Sequence, residues 1–248
     1  MADARTIAVT GASRGIGAAI ALELARRGFT VGCLTRKGTG PETGEAPKKD
    51  AQRLINCRCD VTDGTSVRRA LAELAAKSGA IHGIVNNAGI HLDAPSHEMS
   101  TESYEKVMAV NATAVFGACR EAFPHLLKAG GGTIVNIGSF FDRIGVKRNL
   151  AYCASKAAVG AMTRCLAVEW GSKGIRVVNV APGYIETDLN RDALNQGPLH
   201  DFLAKRIPLG RHGTADEVAR LVAALFSENI PFLTGETIYL DGGQGIAH

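Results

Sequence analysis

The sequence predicts a doubly wound α/β fold: a single domain spanning residues 1–248, with a seven-stranded parallel sheet and helices on both faces. Two observations lead there. Short β-branched or apolar runs alternate with longer stretches of helical periodicity along the whole chain. The strand-like runs are almost continuously apolar, as they must be when both faces of a sheet are covered.

The strand runs come in order as RTIAVT (5–10), FTVGCLT (29–35), LINCRCDV (54–61), IHGIVNN (81–87), GTIVNIGS (132–139), IRVVNVAP (175–182) and ETIYLDGG (236–243). Between the first two, residues 16–27 place Ile16, Ile20 and Leu24 on one helical face. A helix over 65–77 follows Asp63, a natural N-cap. Long helices are expected over 102–127 and 151–171. A helix over 214–227 opens on Thr214 with Glu217 three residues later, the capping-box pattern. Two stretches read as loops. Residues 36–50, rich in Gly, Pro and Lys, form an excursion after the second strand. Residues 184–212 are long and carry Leu189, Leu194, Leu199, Phe202 and Leu203, which suits a lid over a site better than a linker.

Composition narrows the function. Hydrophobic residues make up 46% of the 248 and charged residues 21%, enough for a large core and too apolar for a disordered chain. The net charge of +4 is scattered in short pairs such as Arg26-Arg27 and Arg68-Arg69, so nucleic-acid binding is not expected. No apolar run approaches the ~18 residues of a membrane span, and no signal peptide is evident, so no membrane partner is expected. The cysteines at 33, 57, 59, 119, 153 and 165 lack zinc-site spacing. They read as buried free thiols of a reducing, cytoplasmic compartment, and no metal is expected.

The turn VTGASRGIGAAI joins the first strand to the first helix. Gly11, Gly15 and Gly17 depart from the GxGxxG spacing but serve the same physics: a tight turn, close backbone approach, and free N–H groups for a pyrophosphate. At the end of the second strand an NAD site wants a carboxylate for the ribose 2′-hydroxyl. This chain has Leu34-Thr35-Arg36-Lys37 instead. Arg36, with Arg14 inside the glycine turn and Lys37 as a helper, makes a cradle for a 2′-phosphate, so the expected cofactor is NADP(H).

Tyr152 and Lys156 lie four apart in AYCASKAAVG, one above the other on a helix. An ammonium beside a phenol favours the phenolate, lowering the tyrosine pKa from about 10 toward useful acid–base chemistry. Ser139, 13 residues earlier at the end of the fifth strand, can donate a hydrogen bond to a substrate oxygen.

TGASRGIG, NNAG at 86–89, the Ser139–Tyr152–Lys156 spacing and PGYIETD at 182–188, occurring in this order, resemble the short-chain dehydrogenase/reductase family from residue 5 to 243. The carboxyl half is similar to 3-oxoacyl-[acyl-carrier-protein] reductases. The resemblance implies a Rossmann-like fold and assigns roles. Gly11, Ser13, Arg14, Gly15, Ile16 and Gly17 would hold the pyrophosphate side. Asp60 and Val61 would contact adenine, and Asn87, Ala88 and Gly89 would line a ribose. Pro182, Gly183, Ile185 and Thr187 would border the nicotinamide. Asn111 would complete a catalytic tetrad with Ser139, Tyr152 and Lys156 by holding a proton-relay water, and Lys156 would also bind the nicotinamide ribose.

The implied reaction is NADPH-dependent reduction of a ketone to a secondary alcohol, with a 3-oxoacyl thioester the first substrate class and a cyclic, aryl or sugar-type ketone the alternative. A non-catalytic NADP(H) sensor is the rival of another class. Phe140 and Phe141 follow Ser139, one expected to line the pocket and one to pack; Asp142 beside them is a candidate polar contact. His91, Asp93 and His97 either touch substrate at the mouth or are ordinary loop residues. Trp170 is expected to be structural, near an assembly interface. The resemblance further implies a homotetramer. Docking of an acyl-carrier protein would use basic residues beside the entrance; Lys173 fits one such position, whereas Gly130 stands where the other belongs.

Overall fold

The computed structural model describes residues 5–42, 48–187, 190, 192, 194, 196–228 and 230–247. Its centre is an all-parallel sheet of β1 (Thr6–Thr10), β2 (Thr30–Thr35), β3 (Leu54–Arg58), β4 (Gly83–Asn86), β5 (Gly132–Ile137), β6 (Ile175–Pro182) and β9 (Thr237–Leu240). The spatial order is β3-β2-β1-β4-β5-β6-β9. The chain winds outward first in one direction from β1 and then in the other from β4, so the carboxyl ends of β1 and β4 flank the switch point where such sheets bind ligands.

Helices cover both faces because the strands bury both. Core residues alternate between two clusters. Ile7, Val9, Val31 and Val178 face α1 (Gly15–Arg26) and α8 (Ala215–Ser227). Ala8, Leu34, Ile84 and Ile134 face α3 (Gly64–Ser78), α5 (Ala114–Lys128) and α6 (Leu150–Trp170). Asp63 caps α3 by accepting from Thr65 N, and Thr214 with Glu217 forms the complete capping box of α8. Glu217 also takes Arg211, which holds its carboxyl at about 2.

The long helix expected over 102–127 is not continuous. It consists of α4 (Thr101–Met108), one π-helical turn (Ala109–Thr113) and α5. The widened turn centres on Asn111, whose amide reaches out of the helix instead of sitting in it.

Both expected loops carry more structure than their composition suggests. After β2, Thr35 Oγ1 accepts from Thr39 N at 3.0 Å and donates to Thr39 O at 2.8 Å. Glu42 N then donates to Ser13 O at 2.6 Å, so this segment folds back on the glycine turn; the short α2 (Lys48–Ala51) follows. Within 184–212, β7 (Ile185–Glu186) pairs with β8 (Gly213–Thr214) and closes the segment at its base. It also contains α7 (Pro198–Arg206), and Leu194, Leu203 and Ile207 bury against Tyr184 as a small satellite core. Leu189 and Asp188 lie outside the described residues, as does the side chain of Leu199. Among the described residues no helix is long and apolar enough to cross a membrane.

Candidate active site

The nucleotide end is built where the β1 turn meets α1. Gly11 takes φ 66°, a left-handed conformation costly for other residues. At Gly17 a Cβ would lie 2.2 Å from Gly11 O and 2.4 Å from Asn87 Nδ2. Only glycine lets the helix start this close to the turn. The first turn of α1 has no acidic residue and no side-chain cap, although Arg14 occupies the N-cap position. Its backbone N–H groups therefore remain open to an anion. A cradle that no side chain fills, at an uncapped helix start, fits a dinucleotide pyrophosphate.

Neighbouring segments are tied to this turn. Thr10 Oγ1 accepts from both Asn87 N (3.0 Å) and Ala88 N (3.1 Å) and donates to Val85 O (3.3 Å). Asn87 Nδ2 donates to Thr10 O at 3.0 Å. Thr10 was not singled out by sequence motif; a hydroxyl at the buried end of a β-strand beside a glycine turn is the signal that could have found it. Across the cleft, a Cβ on Gly15 would touch Thr187 Cγ2 at 3.4 Å, so the β6–β7 segment reaches the start of α1. Thr187 is held by Asn190, which accepts from its N–H and hydroxyl at 2.7 and 3.1 Å. Gly183 packs on Asp241, where a Cβ would come within 2.8 Å of its Cα.

Arg14, Arg36 and Lys37 are exposed around the end of β2. Asp60 and Val61 sit just beyond the end of β3, not within it. The Asp60 carboxylate accepts from Thr62 Oγ1 (2.7 Å) and Thr62 N (3.0 Å); these bonds and, more weakly, the Arg36 charge hold it below the usual carboxylate range. Val61 lines a small recess with Thr10, Ala88 and Val110.

At the chemical end, β5 delivers Ser139 and α6 delivers Tyr152 and Lys156. Lys156 is 5% exposed and donates from Nζ to Ile137 O at 2.8 Å. Burial depresses its pKa to about 8. Nζ lies 5.6 Å from the Tyr152 ring centroid. The expectation that the ammonium lowers the tyrosine pKa is corrected here. Burial raises the phenol above its ordinary value, and the hydrogen bond with Ser139 acts the other way. Lys156 is turned to a backbone carbonyl instead, and desolvation dominates both groups.

Asn111 is fully buried, and its amide is occupied. Oδ1 accepts from Ile90 N and Nδ2 donates to Ile90 O, both at 2.8 Å, and Nδ2 also approaches Ser155 Oγ at 3.2 Å. Ser155 Oγ in turn donates to Tyr152 O at 2.8 Å. Through these bonds Asn111 clamps the loop after β4 to the helix bearing Tyr152.

The wall around the phenol is aromatic. Phe141 stands edge-on to Tyr152 at 5.9 Å and Tyr184 lies 6.0 Å from Phe141, while Phe140 is buried. Asp142 faces away, accepting from Tyr239 Oη at 3.0 Å. His91 stands edge-on to Tyr152 at 5.0 Å and is bonded to Asn149, which sequence reasoning missed. Asp93 pairs with Arg148 at 2.9 Å, and His97 with Glu98 at 3.3 Å. Trp170 packs on Phe123 at 4.8 Å. Of the cysteines, Cys165 is exposed and Cys153 partly so; the other four are buried.

The family model described as enoyl-(acyl carrier protein) reductase matches residues 11–244, nearly the whole chain and all of this site. The chain belongs to the short-chain dehydrogenase/reductase family. It is an oxidoreductase of that family, acting on carbinol or ketone groups with a nicotinamide dinucleotide. Its relatives differ in substrate. The D-threitol dehydrogenase of Mycolicibacterium smegmatis is 36% identical over 98% of this chain and 94% of its own. The 3-oxoacyl-[acyl-carrier-protein] reductase MabA of Mycobacterium tuberculosis is 37% identical over the same shares. A gluconate 5-dehydrogenase from Burkholderia cenocepacia, solved with NADP and tartrate, superposes with a TM-score of 0.89 at 32% identity over 99% of this chain and 97% of its own.

Lys173, the basic residue to which the resemblance to carrier-dependent reductases points, follows α6 as expected and precedes the amino end of β6, whereas Ser139 follows the carboxyl end of the parallel β5. A strand of this length separates the two ends by about 20 Å.

Proposed function

We propose that this short-chain dehydrogenase/reductase reduces a ketone to a secondary alcohol with NADPH as the preferred cofactor, and runs the reverse oxidation when the alcohol is in excess. One observation supports the reading most: Ser139, Tyr152 and a buried, hydrogen-bonded Lys156 converge at the carboxyl end of β5. The bound cofactor supplies the hydride. Tyr152, kept neutral by burial, gives its proton to the carbonyl oxygen as the carbon is reduced. Ser139 donates a hydrogen bond to the same oxygen and stabilises the charge that develops there. Lys156, poised at about 8, helps return a proton from solvent to the phenolate left behind. Arg14 and Arg36, with no carboxylate at the end of β2, favour the 2′-phosphate. The 184–212 segment, tied at its base by β7 and β8, serves as the lid.

A free, small ketone is the better substrate class than a carrier-bound thioester, because Gly130 stands where the second basic residue of a carrier-docking pair belongs and, within one protomer, Lys173 lies at the opposite end of the sheet from Ser139. Exposed Phe116 on α5 and Val168 on α6 are apolar surface that a homotetramer would cover, and the buried thiols suit a cytoplasmic setting. The deciding experiment follows NADPH oxidation across free ketones and 3-oxoacyl thioesters, with Tyr152→Phe as control. Reduction of free ketones that the control abolishes supports the reading. A wild type inert to every ketone, yet binding NADPH, favours the sensor.

A further inference from the structure

The rim beside Tyr152 is assembled from two loops that are joined at several points. After β4, Ile90 has both its N–H and its carbonyl bound by Asn111. That fixes the backbone immediately before His91. Facing it is the loop before α6, where Arg148 takes φ 67°, the only non-glycine residue with positive φ among the described residues. Arg148 O accepts from Ala94 N at 3.0 Å, and its guanidinium pairs with Asp93.

Asn149 follows in the N-cap position of α6. Asparagine there ordinarily accepts a helix N–H. Here it makes no capping bond. Its Nδ2 donates to Lys147 O at 2.8 Å, which turns Oδ1 toward His91 Nε2. An amide oxygen only accepts, so Nε2 must carry the ring's proton, and Nδ1 of the neutral ring is left as an acceptor. The helix forgoes a cap, and the backbone a relaxed φ, while this ring is held edge-on to the candidate acid.

We propose that His91 is a specificity-determining residue whose Nδ1 accepts a hydrogen bond from a hydroxyl next to the reacting carbonyl, so that the substrate is a neutral hydroxyketone or, in reverse, a vicinal diol. The inference rests on the ketone-reduction reading above. Ser139 and Tyr152 both donate to the ketone oxygen, so an acceptor placed beside them is matched by a donor on the adjoining carbon. A 3-oxoacyl thioester offers only its thioester carbonyl, an acceptor, near the reacting ketone and no such donor. A substrate carboxylate is disfavoured too, because the Arg148 guanidinium beside His91 is already paired with Asp93. The aromatic faces of Phe141 and Tyr184 are left for the carbon skeleton.

The test compares 3-hydroxybutan-2-one with butan-2-one, which differ by that hydroxyl alone. Wild type should favour the hydroxyketone by about tenfold or more in kcat/KM, mostly through KM. His91→Phe keeps an edge-on ring without the acceptor and should bring the ratio near one. Asn149→Asp still accepts from Nε2 and should retain the preference, whereas Asn149→Leu should lose most of it. Nitrogen-15 NMR of the imidazole gives a readout independent of turnover. In the dead-end complex with NADP+, the proton should sit on Nε2, and Nδ1 should shift with the hydroxyketone and not with butan-2-one. An unchanged ratio in His91→Phe, or a proton on Nδ1, overturns the assignment. If neither ketone is reduced, the ketone-reduction reading fails, and the Nδ1 shift still decides whether His91 recognises the hydroxyl.

Discussion

Lys156 Nζ donates to the carbonyl oxygen of Ile137 at 2.8 Å, across the gap between α6 and the end of β5. A buried ammonium thus leans on one backbone carbonyl, with no carboxylate among the causes of its shifted pKa. Folding therefore costs more when this lysine is charged than when it is neutral.

That cost has a pH signature. The folded pKa near 8 lies below the ordinary lysine value of 10.5, so between these pH values the unfolded chain holds a proton that the folded chain has released. The unfavourable contribution, about 3 kcal/mol at most, is fully present below pH 8 and fades as pH rises toward 10. We expect the stability of the cofactor-free protein to rise relative to Lys156→Met across pH 8 to 9.5, as read by urea unfolding. Parallel curves for the two proteins would show that the lysine is not desolvated as described.

Tyr152→Phe should lower turnover by about a hundredfold to ten-thousandfold while NADPH affinity stays close to wild type. The ring and its contacts with His91 and Phe141 persist; only the proton donor goes. Fluorescence titration of NADPH beside steady-state rates checks both halves. More than a few percent residual activity would remove Tyr152 from the acid's role.

Replacing Arg36 by alanine should weaken NADPH by about tenfold or more and leave NADH nearly unaffected, since only the former has a 2′-phosphate for a charge-assisted bond. Adding Thr35→Asp should move the preference toward NADH. Thr35 is also the residue whose hydroxyl shapes the following turn, so the aspartate's effect is to be read from the ratio of the two cofactors and not from either alone.

Gly17→Ala should destabilise the protein by about 1–3 kcal/mol, in line with overpacking of a close-packed site, and abolish cofactor binding. Its methyl would press on Gly11 O and Asn87 Nδ2 together. Thermal unfolding and NADPH titration read the two effects. Unimpaired binding would mean that the glycine turn relaxes freely.

Much of this was legible in the sequence, because it depends on short-range pattern. All seven sheet strands lie within the runs that periodicity marked, and the caps of α3 and α8 follow from Asp63 and Thr214 with Glu217. The strands β7 and β8 were not legible: two residues each are too short for an alternation to register. Nor was the broken helix around Asn111, since a π turn leaves no mark in a 3.6-residue period until it has ended. At the site, residue types gave Ser139, Tyr152 and Lys156, but not their electrostatics. Spacing placed an ammonium beside a phenol; burial, a property of the whole fold, reversed the direction of the tyrosine's shift. Asn149 was invisible for a different reason: its identity matches an ordinary N-cap, and only the missing bond reveals another use.

The π turn has a consequence for tolerated changes of length. Each residue advances an α-helix by about 100°. The turn at Ala109–Thr113 absorbs one such step between α4, which buries Val107, and α5, which buries Val115, Ala118, Cys119, Ala122 and Leu126. The widened turn holds one residue more than an α-helical turn, so deleting one residue here would restore an uninterrupted helix with α4 and α5 still in phase. The apolar stripe of α5 would stay on the sheet, while Asn111 would lose the bulged position from which it reaches Ile90. The bulge thus lets a loop be clamped without disturbing a packing surface, and one-residue deletions in 109–113 should leave the fold standing while they release the loop after β4.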